Sequence, residues 1–161
     1  MFRLRDYIQE LASRKPVATA RIFGSSAYPN INGKVDFYDA RRGVVVVADI
    51  SGLPTTTDTC KSPIFALHIH EGISCTGNEQ DLFADTKSHY NPHQCQHPYH
   101  AGDLPPLFGN DGFAFSAFLT NRFTIREVLG RAVVIHAGLD DFTSQPAGNA
   151  GTKIACGIIE R

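Results

Sequence analysis

From residue 73 to residue 112 the chain runs for more than thirty residues with no hydrophobic periodicity, neither helical nor alternating. A structureless stretch of that length inside a compact domain is uncommon and is usually functional. Something other than a packed apolar face must order it. The stretch holds four of the seven histidines (His89, His93, His97 and His100) and two of the four cysteines (Cys75 and Cys95). Two more histidines, His68 and His70, stand just before it, so six of the seven fall between residues 68 and 100. Histidines scattered through a core or over a surface would not gather in this way, and the cluster reads as a metal site.

Around this tract the chain reads as strands. ATARIFG (18–24), GKVDFYD (33–39) and GVVVVADISGLP (43–54) are rich in β-branched or alternating residues and bounded by Gly or Pro. Asp39-Ala40-Arg41-Arg42-Gly43 is a tight hairpin connection ending in Gly. FALHIHEG (65–72), FAFSAFLT (113–120), GRAVVIHAG (130–138) and KIACGIIE (153–160) follow, with a second loop, LDDFTSQPAGNAGT, over 139–152. Short strands, Gly/Pro turns and no strand–helix alternation predict an all-β fold, an antiparallel sandwich or barrel, over residues 17–161. Ahead of it, residues 2–14 place Phe2, Leu4, Tyr7, Ile8 and Leu11 near one face at helical spacing, and Pro16 ends the pattern. Residues 1–16 therefore read as an N-terminal extension with a short amphipathic helix; the alternative is a frayed tail.

Composition closes several functional classes. With 161 residues, 42% apolar and 19% charged, the chain can bury a core and has the length of one domain. A balance of 15 basic against 16 acidic residues is no nucleic-acid binder of the usual basic kind and gives no membrane-surface signal. No apolar run approaches the roughly 20 residues a membrane helix needs. The N-terminus has charges scattered through it and no apolar h-region, so the sequence reads as cytoplasmic, or as exported if a leader has been removed.

The ligand types sort into two sets. His68 and His70 are two apart on one strand and point to one face, a poor core and a good half of a metal site. His136 ends another strand, where strand ends open towards loops. Three imidazoles and one carboxylate from the long tract, His89, His97, His100 and Asp103, make a closed set that suits structural tetrahedral zinc. Zinc has no redox chemistry, whereas four imidazoles suit copper. Two sites of different character fit this inventory better than one.

At these motifs the chain resembles the copper/zinc superoxide dismutases. FALHIHEG is similar to the family's strand with two copper histidines, SHYNP to the segment with the bridging histidine, and HAGDLP to the zinc His-x-x-Asp. GRAVVIHAGLDD is similar to the strand with the last copper histidine, and GNAGTKIACGII to the C-terminal signature. The motifs lie in order over residues 17–161. The resemblance implies a Greek-key barrel with long metal-binding and electrostatic loops. It implies copper on His68, His70, His89 and His136, zinc on His89, His97, His100 and Asp103, and His89 as the bridge. Asp140 would hydrogen-bond a ligand histidine of each metal, with adjacent Asp141 as its competitor, and His93 would be an exposed loop residue without a role. A Cys75–Cys156 disulfide is implied as well.

The implied reaction is dismutation of superoxide to dioxygen and hydrogen peroxide by alternate reduction and oxidation of the copper, with His89 taking up and returning a proton. Lys153 stands where the family has an anion-guiding arginine and is expected at the mouth of the copper site. The loop from His136 to Lys153 is short and lacks the family's Glu/Lys-rich segment. Cys60 and Cys95 are additional, and are expected to form a second disulfide; the alternative is two free buried thiols. Two other functions compete: a non-enzymatic metal-binding relative, favoured if a copper ligand were missing, and a zinc hydrolase, which needs an open zinc position. Family members dimerise through different surfaces or remain monomers, so a homodimer is left open.

Overall fold

The structure is a computed structural model and describes residues 13–58, 60, 61 and 63–161. Among the described residues nine strands follow in order: β1 (Ala18–Gly24), β2 (Asn32–Ala40), β3 (Gly43–Ser51), β4 (Ile64–Phe65), β5 (Leu67–His70), β6 (Leu107–Phe108), β7 (Phe113–Thr120), β8 (Ala132–His136) and β9 (Lys153–Glu160). One four-residue helix, α1 (Ile125–Val128), connects β7 to β8. The helix expected over residues 2–14 lies outside the described residues apart from Ser13 and Arg14.

Seven strands form one antiparallel sheet in the order β5-β8-β9-β1-β2-β3-β7, and β4 pairs with β6 in a small second sheet. β1, β2 and β3 are consecutive antiparallel partners, with β9 returning beside β1 and β7 beside β3 over long connections. The alternation read from the sequence decides the faces. Ala20 and Ile22 of β1, Val35 and Phe37 of β2, and Val46, Ala48 and Ile50 of β3 point inward and are fully buried. They meet Phe65, Leu67, Ile69, Leu107, Val133, Ile135 and Ile154 in one core, so the sheet curls round its own apolar face. The Asp39–Gly43 connection is a tight turn, with Ala40 opposite Gly43.

A second, smaller apolar cluster sits on the other face of β8 and β9. Phe83, Ala132, Val134 and Cys156 form it, with Cys75 and Ile158 packed alongside. The Cys75–Cys156 disulfide stands here, with Cα atoms 5.8 Å apart. The segment from residue 73 to 87, irregular except for a single 3-10 turn at Ala84–Thr86, is thereby fastened over the outer face of the last two strands.

Candidate metal centre

All four residues of β5 are buried, although only one of its faces meets the core. Leu67 and Ile69 point into the core, while His68 and His70 point the other way and are covered by the loops. The long tract is laced along β5. Tyr90 N–H donates to Ile69 O at 2.8 Å, Ile69 N–H to Gly102 O at 2.9 Å, and Gly102 N–H to Tyr90 O at 2.9 Å. His89 is thus set opposite His70, and Asp103 opposite His68. Gly102 permits this approach, because a Cβ there would stand 2.1 Å from Ile69 O.

Two donor sets result, each with its ligand atoms within 4.8 Å of one another: His68, His70, His89 and His136, and His89, His97, His100 and Asp103. Every one of these residues is buried. In the first set His70 Nε2 lies 3.3 Å from His136 Nε2. In the second, His89 Nδ1 is 2.7 Å from Asp103 Oδ1 and 3.4 Å from His100 Nδ1, His100 Nδ1 is 3.3 Å from Asp103 Oδ1, and His97 Nδ1 is 3.1 Å from Asp103 Oδ2. Zinc bonds of about 2.0–2.1 Å give a tetrahedron with edges of about 3.3 Å, so this set has the dimensions of a closed zinc site.

Four of the five remaining ring nitrogens are spoken for, which fixes those rings and their tautomers. His68 Nε2–H donates to Asp140 Oδ2 and His97 Nε2–H to Asp140 Oδ1, both at 2.8 Å. His70 Nδ1–H donates to Lys87 O at 2.8 Å and His136 Nδ1–H to Gly151 O at 3.1 Å. Three ring nitrogens are then left buried with no hydrogen-bond partner: His68 Nδ1, His89 Nε2 and His97 Nδ1. His97 Nδ1 is within ion-pair distance of Asp103, but its angle is not that of a hydrogen bond. Orphaned buried lone pairs are costly. All three face into the two donor sets, so copper and zinc fit the residues present.

Electrostatics keep His68, His70 and His136 neutral, as metal ligation requires. Burial, then the neighbouring His89 and His136, hold His70 well below the ordinary histidine range. Burial, then His68, pushes His136 down to about 3. Burial would raise Asp140, but its hydrogen bonds from His68, Phe142 N–H and His97 prevail and bring it down to about 2.

The chain matches the family model for copper/zinc superoxide dismutase over residues 31–159. It belongs to that family. Among its relatives is Cu-Zn superoxide dismutase 2 of Aquifex aeolicus, 33% identical over a 142-residue alignment that covers 79% of this chain and 78% of the relative. Another is the Cu-Zn superoxide dismutase of Photobacterium leiognathi, 32% identical over a 142-residue alignment that covers 80% of this chain and 78% of that one. The Cu/Zn superoxide dismutase structure from Brucella abortus superposes with a TM-score of 0.75 at 25% identity, covering 89% of this chain and 99% of that one. The copper and zinc sites of the family are therefore the His68/His70/His89/His136 and His89/His97/His100/Asp103 sets, shared through His89, and superoxide is the family's substrate.

The structure also settles which neighbours do not join the site. His93 is exposed. Asp141 closes its own turn by accepting from Thr143 N–H and Ser144 N–H, leaving Asp140 to the histidines. The second disulfide is not formed: Cys60 and Cys95 are free and exposed. Each is held in a separate loop turn, Cys60 N–H on Asp58 Oδ1 and the Cys95 backbone on the Asn91 side chain. Lys153 lies opposite His136 in the β8–β9 register, and its ammonium donates to Asp81 Oδ2 at 2.7 Å and Phe83 O at 3.1 Å.

Several supporting groups have no sequence signal. Gln145 brackets the backbone of His97, accepting from its N–H at 3.0 Å and donating to its C=O at 2.7 Å. Arg122 Nη1 lies within donating distance of the carbonyls of Pro98, His100 and Asp103, at 2.9, 3.3 and 3.2 Å. The Lys87 and Gly151 carbonyls act through the backbone, so residue type could not reveal them. Gly148, by contrast, opens the GNAGTKIACGII motif. Its φ is +67°, and a Cβ there would lie 2.0 Å from Asp140 Oδ1 and 2.7 Å from His97 Nε2.

Proposed function

We propose that this chain dismutes superoxide to dioxygen and hydrogen peroxide at the four-imidazole cluster, with His89 as the proton-handling residue and Lys153 as the cation that guides the anion in. The observation that carries the reading is His89 itself, one buried ring whose two nitrogens belong to two different donor sets. Bound copper supplies one-electron redox chemistry and bound zinc a fixed charge without redox chemistry.

The chain's own residues do the rest. His89 Nδ1 is held among Asp103 and His100, so the ring keeps its place while Nε2 takes up a proton and gives it back. Asp140 and the carbonyls of Lys87 and Gly151 hold His68, His97, His70 and His136 in register, so the site need not reorganise between half-reactions. Ser144, Gln145, Pro146, Ala147, Asn149 and Ala150 wall a cavity of about 310 Å³ against His136, room for a diatomic anion and water. Lys153 offers that anion the positive charge opposite His136.

Metal content and superoxide-scavenging rate, measured on one sample loaded with both metals, test this reading. One copper and one zinc per chain with rapid scavenging are expected. The His89→Ala variant should weaken both sites, and His93→Ala should leave both intact. Copper bound at full stoichiometry without scavenging would reduce the chain to a metal-binding relative.

A further inference from the structure

Lys153 is not a free cation. Its side chain is only 15% exposed, and two of the three N–H donors of its ammonium are spent on one loop: Asp81 Oδ2 and Phe83 O. Asp81 is itself aimed. Its Oδ1 accepts from Phe83 N–H at 3.0 Å, and its own N–H donates to Asn78 Oδ1 at 3.0 Å. The carboxylate is therefore built into the turn at residues 78–83, on the segment that the Cys75–Cys156 bond fastens beside the copper face. A charge with its counter-ion 2.7 Å away presents a dipole to a distant anion, and a dipole field dies away much faster than that of a single charge. Lys87, the other lysine near the cluster, lends a carbonyl to His70 and has its side chain in solvent.

We propose that Asp81 is a positioning residue for Lys153, a latch that ties the ammonium to the loop and limits how strongly the copper face draws in anions. The proposal rests on the reading of Lys153 as the guiding cation. A purely structural salt bridge would pin the loop and leave anion binding alone. With the latch removed, the ammonium regains its donors and can turn to an anion beside His136.

Azide, a small monoanion, separates these cases when titrated at low ionic strength into copper- and zinc-loaded protein and followed by its absorption band. Asp81→Asn should bind azide several-fold more tightly, and its superoxide rate should fall more steeply with added salt than that of the wild type. Asp81→Glu, which keeps the carboxylate, should stay near the wild type. In a Lys153→Ala background the Asp81→Asn effect should shrink to less than about twofold, because the latch then has nothing to hold. Asp81→Ser makes the same charge change and stands in if Asn disturbs the turn. Should Lys153→Ala itself leave azide binding unchanged, the guiding role of Lys153 falls and this proposal with it. If Lys153→Ala weakens azide but Asp81→Asn does not strengthen it, or does so equally in both backgrounds, the latch alone is refuted.

Discussion

Gly148 shows how tightly single residues are committed to the centre. It has no side chain because the space is filled by the contact between Asp140 Oδ1 and His97 Nε2. An added methyl group must displace one of them, in a left-handed backbone that L residues resist. Gly148→Ala is expected to weaken zinc retention by about 10- to 100-fold, the usual range for losing a ligand's supporting hydrogen bond. Competition with a chromophoric chelator measures this, and an unchanged affinity would refute it. The seven metal-facing residues could be read from the sequence because ligation demands particular residue types at particular spacings. Gln145 and Arg122 could not, since both act on backbone groups and any donor of suitable length would serve. The Cys60–Cys95 expectation failed for a related reason: two extra cysteines say nothing about whether their loops face one another, and these loops close on themselves.

The strands and the loops obey different rules. β1, β7 and β9 begin and end where the sequence pattern puts them, because alternation and Gly/Pro punctuation encode a half-buried strand locally. β4 and β6, two residues each, have no such pattern and exist through long-range pairing. The tract from 88 to 103 has little ladder of its own beyond its lacing to β5, and the loop at 139–152 leans on His97 through Asp140 and Gln145. Removing the metals should therefore abolish slow amide exchange in these two segments while the amides of Ala20, Val35 and Val46 keep theirs. Hydrogen exchange of metal-free and loaded protein decides it; uniform loss across the sheet would count against this division. The loop from 73 to 87 is secured by covalent means instead. Its disulfide closes a span of 81 residues, and Cys75→Ser should lower stability by roughly 4–5 kcal/mol on the chain-entropy argument. Urea titration of the two proteins gives the difference.

At the scale of the whole molecule, the ligand histidines set the acid limit of the metal-free protein. His68, His70 and His136 are all held below their ordinary value, with burial the leading cause in each. The unfolded chain binds protons at these rings from about pH 6.5 downward, but the folded protein does not until much lower, near pH 3 for His136. Folding is thus fully favoured above about pH 6.5 and loses ground as the pH falls from there towards 3. Each such histidine contributes a slope of up to about 1.4 kcal/mol per pH unit. The melting temperature of metal-free protein should drop steadily across that window, and loaded protein should resist to lower pH. A flat profile between pH 6 and 4 would contradict the neutral, buried rings.

Asp140 reaches His68 of the copper set with one oxygen and His97 of the zinc set with the other, while His89 belongs to both. Neither metal can then be bound without biasing the geometry that meets the second. Thermodynamic linkage makes such a bias mutual: the factor by which zinc changes the affinity for copper must equal the factor by which copper changes the affinity for zinc. An organism's supply of either ion thereby becomes a control on retention of both, and Asp140 is half of the conduit.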